Sequence, residues 1–110
     1  MKKIYLIDNE IISPLGFSIS ENLSAIRNKV SGLKSHDNKR FDSGGFYAGI
    51  IQNEILNQHF SKIGDPGNFT KLEKMMLLAV HEILSENPDL DKSKTAIIIS
   101  TTKGNIDFLQ

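Results

Sequence analysis

The 110-residue chain has no cysteine. That excludes a disulfide framework, a thiolate metal site and a thiol nucleophile within it. Charge of one sign is also missing: 13 basic residues balance 13 acidic ones. A general nucleic-acid binder needs a basic footprint, which this chain lacks. Histidine is scarce. His36, His59 and His81 do not fall at a zinc-ligand spacing such as HExxH. Long apolar runs are absent too. The start, MKKIYLIDNE, is too short for a signal-peptide core, and no stretch approaches a membrane span. One cytoplasmic domain with no membrane or nucleic-acid partner is the expectation. Neither a metal nor a cofactor is called for.

What is present centres on Thr95–Gly104, TAIIISTTKG. Ala96–Ile99 is a continuous apolar run, β-branched in three of four places, and predicts a strand buried on both faces. Its small polar turn lies where open α/β sheets place ligands. Lys3–Asp8 predicts a second buried strand, broken by Ser13-Pro14-Leu15-Gly16.

Ser18 to Val30 predicts a helix. Ser18 and Glu21 form a capping box at its start, and Gly32 is placed to stop it. Ile19, Leu23, Ile26, Val30 and Leu33 fall on one face. Lys34–Gly45 reads as a loop. Phe46–Ile51 reads as a strand weakened by Gly49. Glu54–Ile63 is a short helix with Leu56, Phe60 and Ile63 on one side. Gly64-Asp65-Pro66-Gly67 is a turn.

The strongest helix follows. Thr70 and Glu73 make another capping box at the start of KLEKMMLLAVHEILSE, and Asn87-Pro88 ends it. Six successive apolar residues, Met75–Val80, cover its whole circumference and predict burial on several sides. The alternation of strands and helices gives an α/β class. No repeat or linker divides the chain.

The motifs stop short of a catalytic constellation. In the STTKGN turn Lys103 precedes its glycine, and no glycine stands five residues before Gly104. A phosphate loop needs the reverse order. Asp8, Asn9 and Glu10 read as a solvated turn rather than acid/base groups. His81 reads as a partly buried structural histidine. Met75 and Met76 read as core filler. Lys34, Lys39 and Arg40 make a basic loop diluted by Asp37 and Asp42.

Taken in order, these pieces resemble the amino-terminal part of a β-ketoacyl-acyl-carrier-protein synthase. IYLIDNEIISPLG is similar to the family's opening strand and turn. SENLSAIRNKVSGL is similar to its next helix, FYAGII to the following strand-like segment, KLEKMMLLAV to its long helix, and TAIIISTTKGNID to the next core strand and glycine turn. The resemblance spans nearly the whole chain.

It implies the first, incomplete part of a thiolase-like α/β fold of αβαβα layers. The implied activity is acyl-chain elongation by decarboxylative condensation, as in fatty-acid or polyketide synthesis. That chemistry uses a thiolate of lowered pKa, two histidines and preorganised oxyanion donors. The family's catalytic cysteine and histidines lie downstream of this segment, so no catalytic residue carries over. The chain is expected to be inactive alone.

By the same resemblance Thr102, Lys103 and Gly104 fall near an acyl pocket and dimer interface. Lys71 and Lys74 fall where the family meets the acidic acyl carrier protein. Strands completed elsewhere leave edges open, and burying each large apolar side chain is worth roughly 1.5–3 kcal/mol. A homo-oligomer is therefore expected. Two alternatives stand beside this one. One is a non-catalytic ketosynthase-like partner or carrier-binding module. The other is an unrelated α/β domain with a ligand at Ser100–Gly104.

Overall fold

Where a backbone segment finds a neighbour decides which expected elements form. The computed structural model describes residues 3–37 and 44–105. Among these residues, three α-helices and one two-stranded antiparallel sheet make a small mixed α/β arrangement. The chain divides into two units, residues 1–55 and 56–110.

In the first unit, α1 spans Ile19–Arg27. Ser18 Oγ accepts from Glu21 N at 3.2 Å. The Glu21 carboxylate reaches back to Phe17 N at 2.6 Å rather than to Ser18, so the reciprocal bond sits one residue early. Glu10 Oε1 also accepts from Ile19 N, which anchors the helix start to the preceding segment. The helix stops before the predicted Gly32. Asn28 caps it, and Lys29 takes the left-handed conformation at φ 57°.

The expected apolar stripe of α1 does not form a core. Leu23, Ile26, Val30 and Leu33 are exposed, while Asn22 is the buried residue. Asn22 Nδ2 donates to the carbonyls of Ile11, Gly16 and Ser18, and its Oδ1 accepts from Ser13 Oγ. A buried amide must be satisfied, and here it organises the Ser13–Gly16 turn.

Strand β1, Lys34–His36, pairs antiparallel with β2, Phe46–Ala48. The predicted loop thus begins with a strand. Of the rest of that loop, residues 38–43 lie outside the described residues and include Lys39, Arg40 and Asp42. Strand β2 is shorter than the predicted Phe46–Ile51. Close to the sheet, Ile51 is buried.

Helix α2, Asn53–Phe60, begins in the first unit and runs into the second. Its Leu56 and Phe60 are fully buried, as their spacing predicts. The Phe60 and Phe69 rings tilt against each other with centroids 5.1 Å apart. A 3-10 turn at Pro66–Asn68, capped by Asp65, leads into α3.

Helix α3 spans Lys71–Glu86, bounded as the sequence predicts by Thr70 and Asn87. Both halves of its capping box are present: Thr70 Oγ1 accepts from Glu73 N, and Glu73 Oε2 accepts from Thr70 N at 2.8 Å. Its apolar run is only partly covered. Leu78 is buried and Leu77 is exposed. His81, expected to be partly buried, is exposed.

Two predicted strands are corrected by the structure. Ile4–Ile7 and Ala96–Ile99 carry no regular secondary structure. Ile4 is 97% exposed and Ile98 is 92% exposed. No backbone hydrogen bond joins either segment to another described residue. A strand exists only in a ladder, and β-propensity without a partner does not create one. No helix among the described residues is long and apolar enough to cross a membrane.

Candidate functional site

Glu73 connects the two groups of site residues that the sequence singles out. One carboxylate oxygen closes the α3 capping box on Thr70 N. The other accepts from Asn105 Nδ2 at 3.2 Å. Residues Thr102–Gly104 therefore lie just before a side chain that is fastened to the first turn of α3. Lys71 and Lys74 stand in that same turn. Asn105 Oδ1 is buried with no hydrogen-bond partner, so this contact leaves one acceptor unsatisfied.

The Thr102–Gly104 turn is held by Thr101. Its Oγ1 accepts from Gly104 N at 3.1 Å and from Lys103 N at 3.4 Å. Such hydroxyl-to-backbone bonds stabilise a local turn without a ladder. Gly104 sits at φ 60°, where a side chain is disfavoured. Thr102 and Lys103 are exposed. Lys103 makes no ion pair with a described residue; Lys94 with Asp91, at 3.4 Å, is the one ion pair among them.

Lys71 and Lys74 differ sharply in environment. Lys71 is half-buried at the helix start. Lys74 is only 9% exposed. Its ammonium donates to Asn57 Oδ1 at 2.7 Å and to the Pro66 carbonyl at 3.3 Å. These bonds link α3 to α2 and to the turn between them. A carrier-facing role would require Lys74 to abandon both acceptors. Of the two lysines, Lys71 retains the more open position.

Apolar hollows follow α3. A groove of about 430 Å³ runs between Val80, Ile83 and Leu84 on the helix and Leu90, Ala96 and Ile97 on the segment after it. Lys92 and Thr95 also line it. Its volume is in the range of small-molecule sites. The Asp91 carboxyl lies close by in sequence and caps the 3-10 turn Lys92–Lys94. Hydrogen bonds from the Ser93 hydroxyl and then the Ser93 N–H, with a smaller contribution from Lys94, hold Asp91 below the ordinary carboxylate value.

The other titratable candidates stay dispersed. Asp8 Oδ1 accepts from Asn9 N at 2.8 Å, a local turn, and Glu10 anchors α1. No group of three or more metal-ligating side chains occurs among the described residues. Asn57 and Asn105 were not legible as site residues, because each acts through a contact distant in sequence, whereas Thr101 lies within the Ser100–Gly104 turn that the sequence singles out. No family model, curated protein or solved structure matches the chain.

Proposed function

We propose that the chain is the amino-terminal part of a condensing acyltransferase of the β-ketoacyl-acyl-carrier-protein synthase type, within a thiolase-like layered fold. The ordered resemblance of five segments motivates the reading. The observation that carries it is the exposure of Ile4–Ile7 and Ala96–Ile99. Both segments are apolar, rich in β-branched residues and without backbone hydrogen bonds to other described residues. Core strands whose neighbours come from other segments have this character.

On this reading the chain contributes scaffold and surface, and the acyl-accepting thiolate comes from elsewhere. It holds no cysteine, so it performs no thioester exchange alone. The groove along α3 offers apolar walls of the kind an acyl chain requires. Lys71 keeps its expected role toward an acidic acyl carrier protein; Lys103, which the resemblance puts near the acyl pocket, is exposed and is taken as a second cation in place of the buried Lys74. Homo-oligomer formation covers the open apolar segments, and a cytoplasmic location goes with the same reading.

A second reading is a non-catalytic ketosynthase-like partner that binds carrier protein. The lack of any cysteine in these 110 residues fits both readings, since the resemblance puts the catalytic cysteine downstream of this segment. Reading the coding sequence beyond Gln110 separates the two. A frame that continues into a cysteine-bearing segment with two later histidines supports the enzyme, and its full product should release CO2 from a malonyl-carrier thioester. A frame that closes there supports the partner. A full product with no thioester chemistry and no carrier binding contradicts both.

A further inference from the structure

The β1–β2 hairpin carries a second candidate site, independent of the condensing-enzyme reading. Strand alternation places Lys34 and His36 on one face, with Ser35 on the other. The pairing Lys34↔Ala48 and His36↔Phe46 fixes that face against β2. His36 Nε2 is bonded to the Ala48 carbonyl at 3.2 Å, and its ring lies tilted on Phe46. Lys34 and His36 line a cavity of about 110 Å³. Gln52 adds an amide to the lining, and Phe17, Ile51 and Ile55 add apolar walls.

Charge and size define what fits. Among the described residues, no aspartate or glutamate lines the cavity. Lys34 has no ion-pair partner among the described residues. An anion is therefore the complementary ligand. At about 110 Å³ the space is well below the usual range of small-molecule sites and too small for a nucleotide. The apolar walls favour a hydrocarbon end over an all-oxygen ion such as phosphate.

We propose that this hollow binds a small organic carboxylate of about two to four carbons. Its oxygens accept from the Lys34 ammonium and the Gln52 amide. Its methylene end rests on Phe17, Ile51 and Ile55. The arrangement pairs one charge-assisted contact with a small dry patch.

The test is amide NMR titration of the whole chain with sodium butyrate, n-butanol and sodium phosphate at fixed ionic strength. Butyrate should give saturable shifts at Phe17, Ala48 and Gln52. Butanol and phosphate should bind at least about tenfold more weakly. Lys34→Met, at an exposed strand position, should weaken butyrate by about tenfold, and Lys34→Arg should restore much of it. Lys62→Met, in the other unit, should change nothing. Absence of saturable butyrate shifts, equal binding of phosphate or butanol, or an unaltered Lys34→Met response overturns the proposal. If Lys34→Met fails to fold, the three-ligand comparison on the unaltered chain decides.

Discussion

The Lys74 ammonium donates to the Asn57 amide oxygen at 2.7 Å, across 17 positions of sequence. The partner is a neutral amide, and Pro66 supplies a carbonyl as the second acceptor. A buried cation without a carboxylate depends on such neutral acceptors. The bond joins α2 to α3 within the second unit. It makes Lys74 a structural residue of the helix pair.

Replacing Lys74 by methionine keeps the packing of the stem and removes the donor. The Asn57 oxygen then loses its buried partner. Hydrogen bonds to charged groups contribute about 1.5–3 kcal/mol, so Lys74→Met should lower unfolding stability by that order. Lys62→Met, at an exposed site, should stay within about 0.5 kcal/mol. Urea midpoints for the two variants check the difference. Equal midpoints would place no weight on the Asn57 bond.

Gly104 should resist side chains for a purely conformational reason. A Cβ there meets nothing within 4 Å, but the backbone stands at φ 60°. Gly104→Ala should cost the turn about 1–2 kcal/mol. Thr101→Val should loosen the same turn by removing the acceptor shared by Lys103 N and Gly104 N. Faster exchange of the Asn105 side-chain amide would report both changes, because that amide is bonded to Glu73. An unaltered exchange rate would separate the turn from the α3 contact.

Asp91 gives a pH dependence with a defined sign. Its carboxyl titrates below the ordinary value because the ionised form accepts from the Ser93 hydroxyl and N–H. The stabilisation of the 3-10 turn is present above the ordinary carboxylate value. It is lost as pH falls through the lower folded value, below about pH 4. Ser93→Ala should raise the Asp91 midpoint in a carboxyl NMR titration. A midpoint equal to that of the unaltered chain would assign the depression to another group.

Local chemistry was legible in the sequence, and tertiary company was not. Thr70, Glu73 and Asn87 fix the ends of α3 through bonds made within a few residues, so its bounds follow from the sequence. Leu56 and Phe60 likewise reach their predicted burial. Ile97–Ile99 has the composition of a strand, yet a ladder depends on a neighbour that composition does not supply. In α1 the burial of Asn22 and exposure of Leu23 invert the apolar pattern, because three backbone carbonyls claim the amide. Lys74 looked like a surface cation for the same reason: Asn57 is distant in sequence.

The exposed apolar segments predict self-association. Ile98 projects almost fully into solvent, within an apolar run that has no ladder partner among the described residues. Light scattering across micromolar concentrations should show a mass that rises with concentration. Ile98→Lys should shift the distribution toward the single chain, since a charge blunts a strand edge. Its stability should change little, because Ile98 is not part of a core. A monodisperse single chain at all concentrations would contradict the expectation.

The condensing-enzyme reading is tested most directly by titrating the chain with holo-acyl-carrier protein over a range of salt concentrations. The account predicts binding that weakens as salt rises. It also predicts that the double variant Lys71→Glu/Lys103→Glu binds at least about tenfold more weakly, with a flatter salt response. No detectable carrier binding, or equal affinity in the double variant, would contradict it.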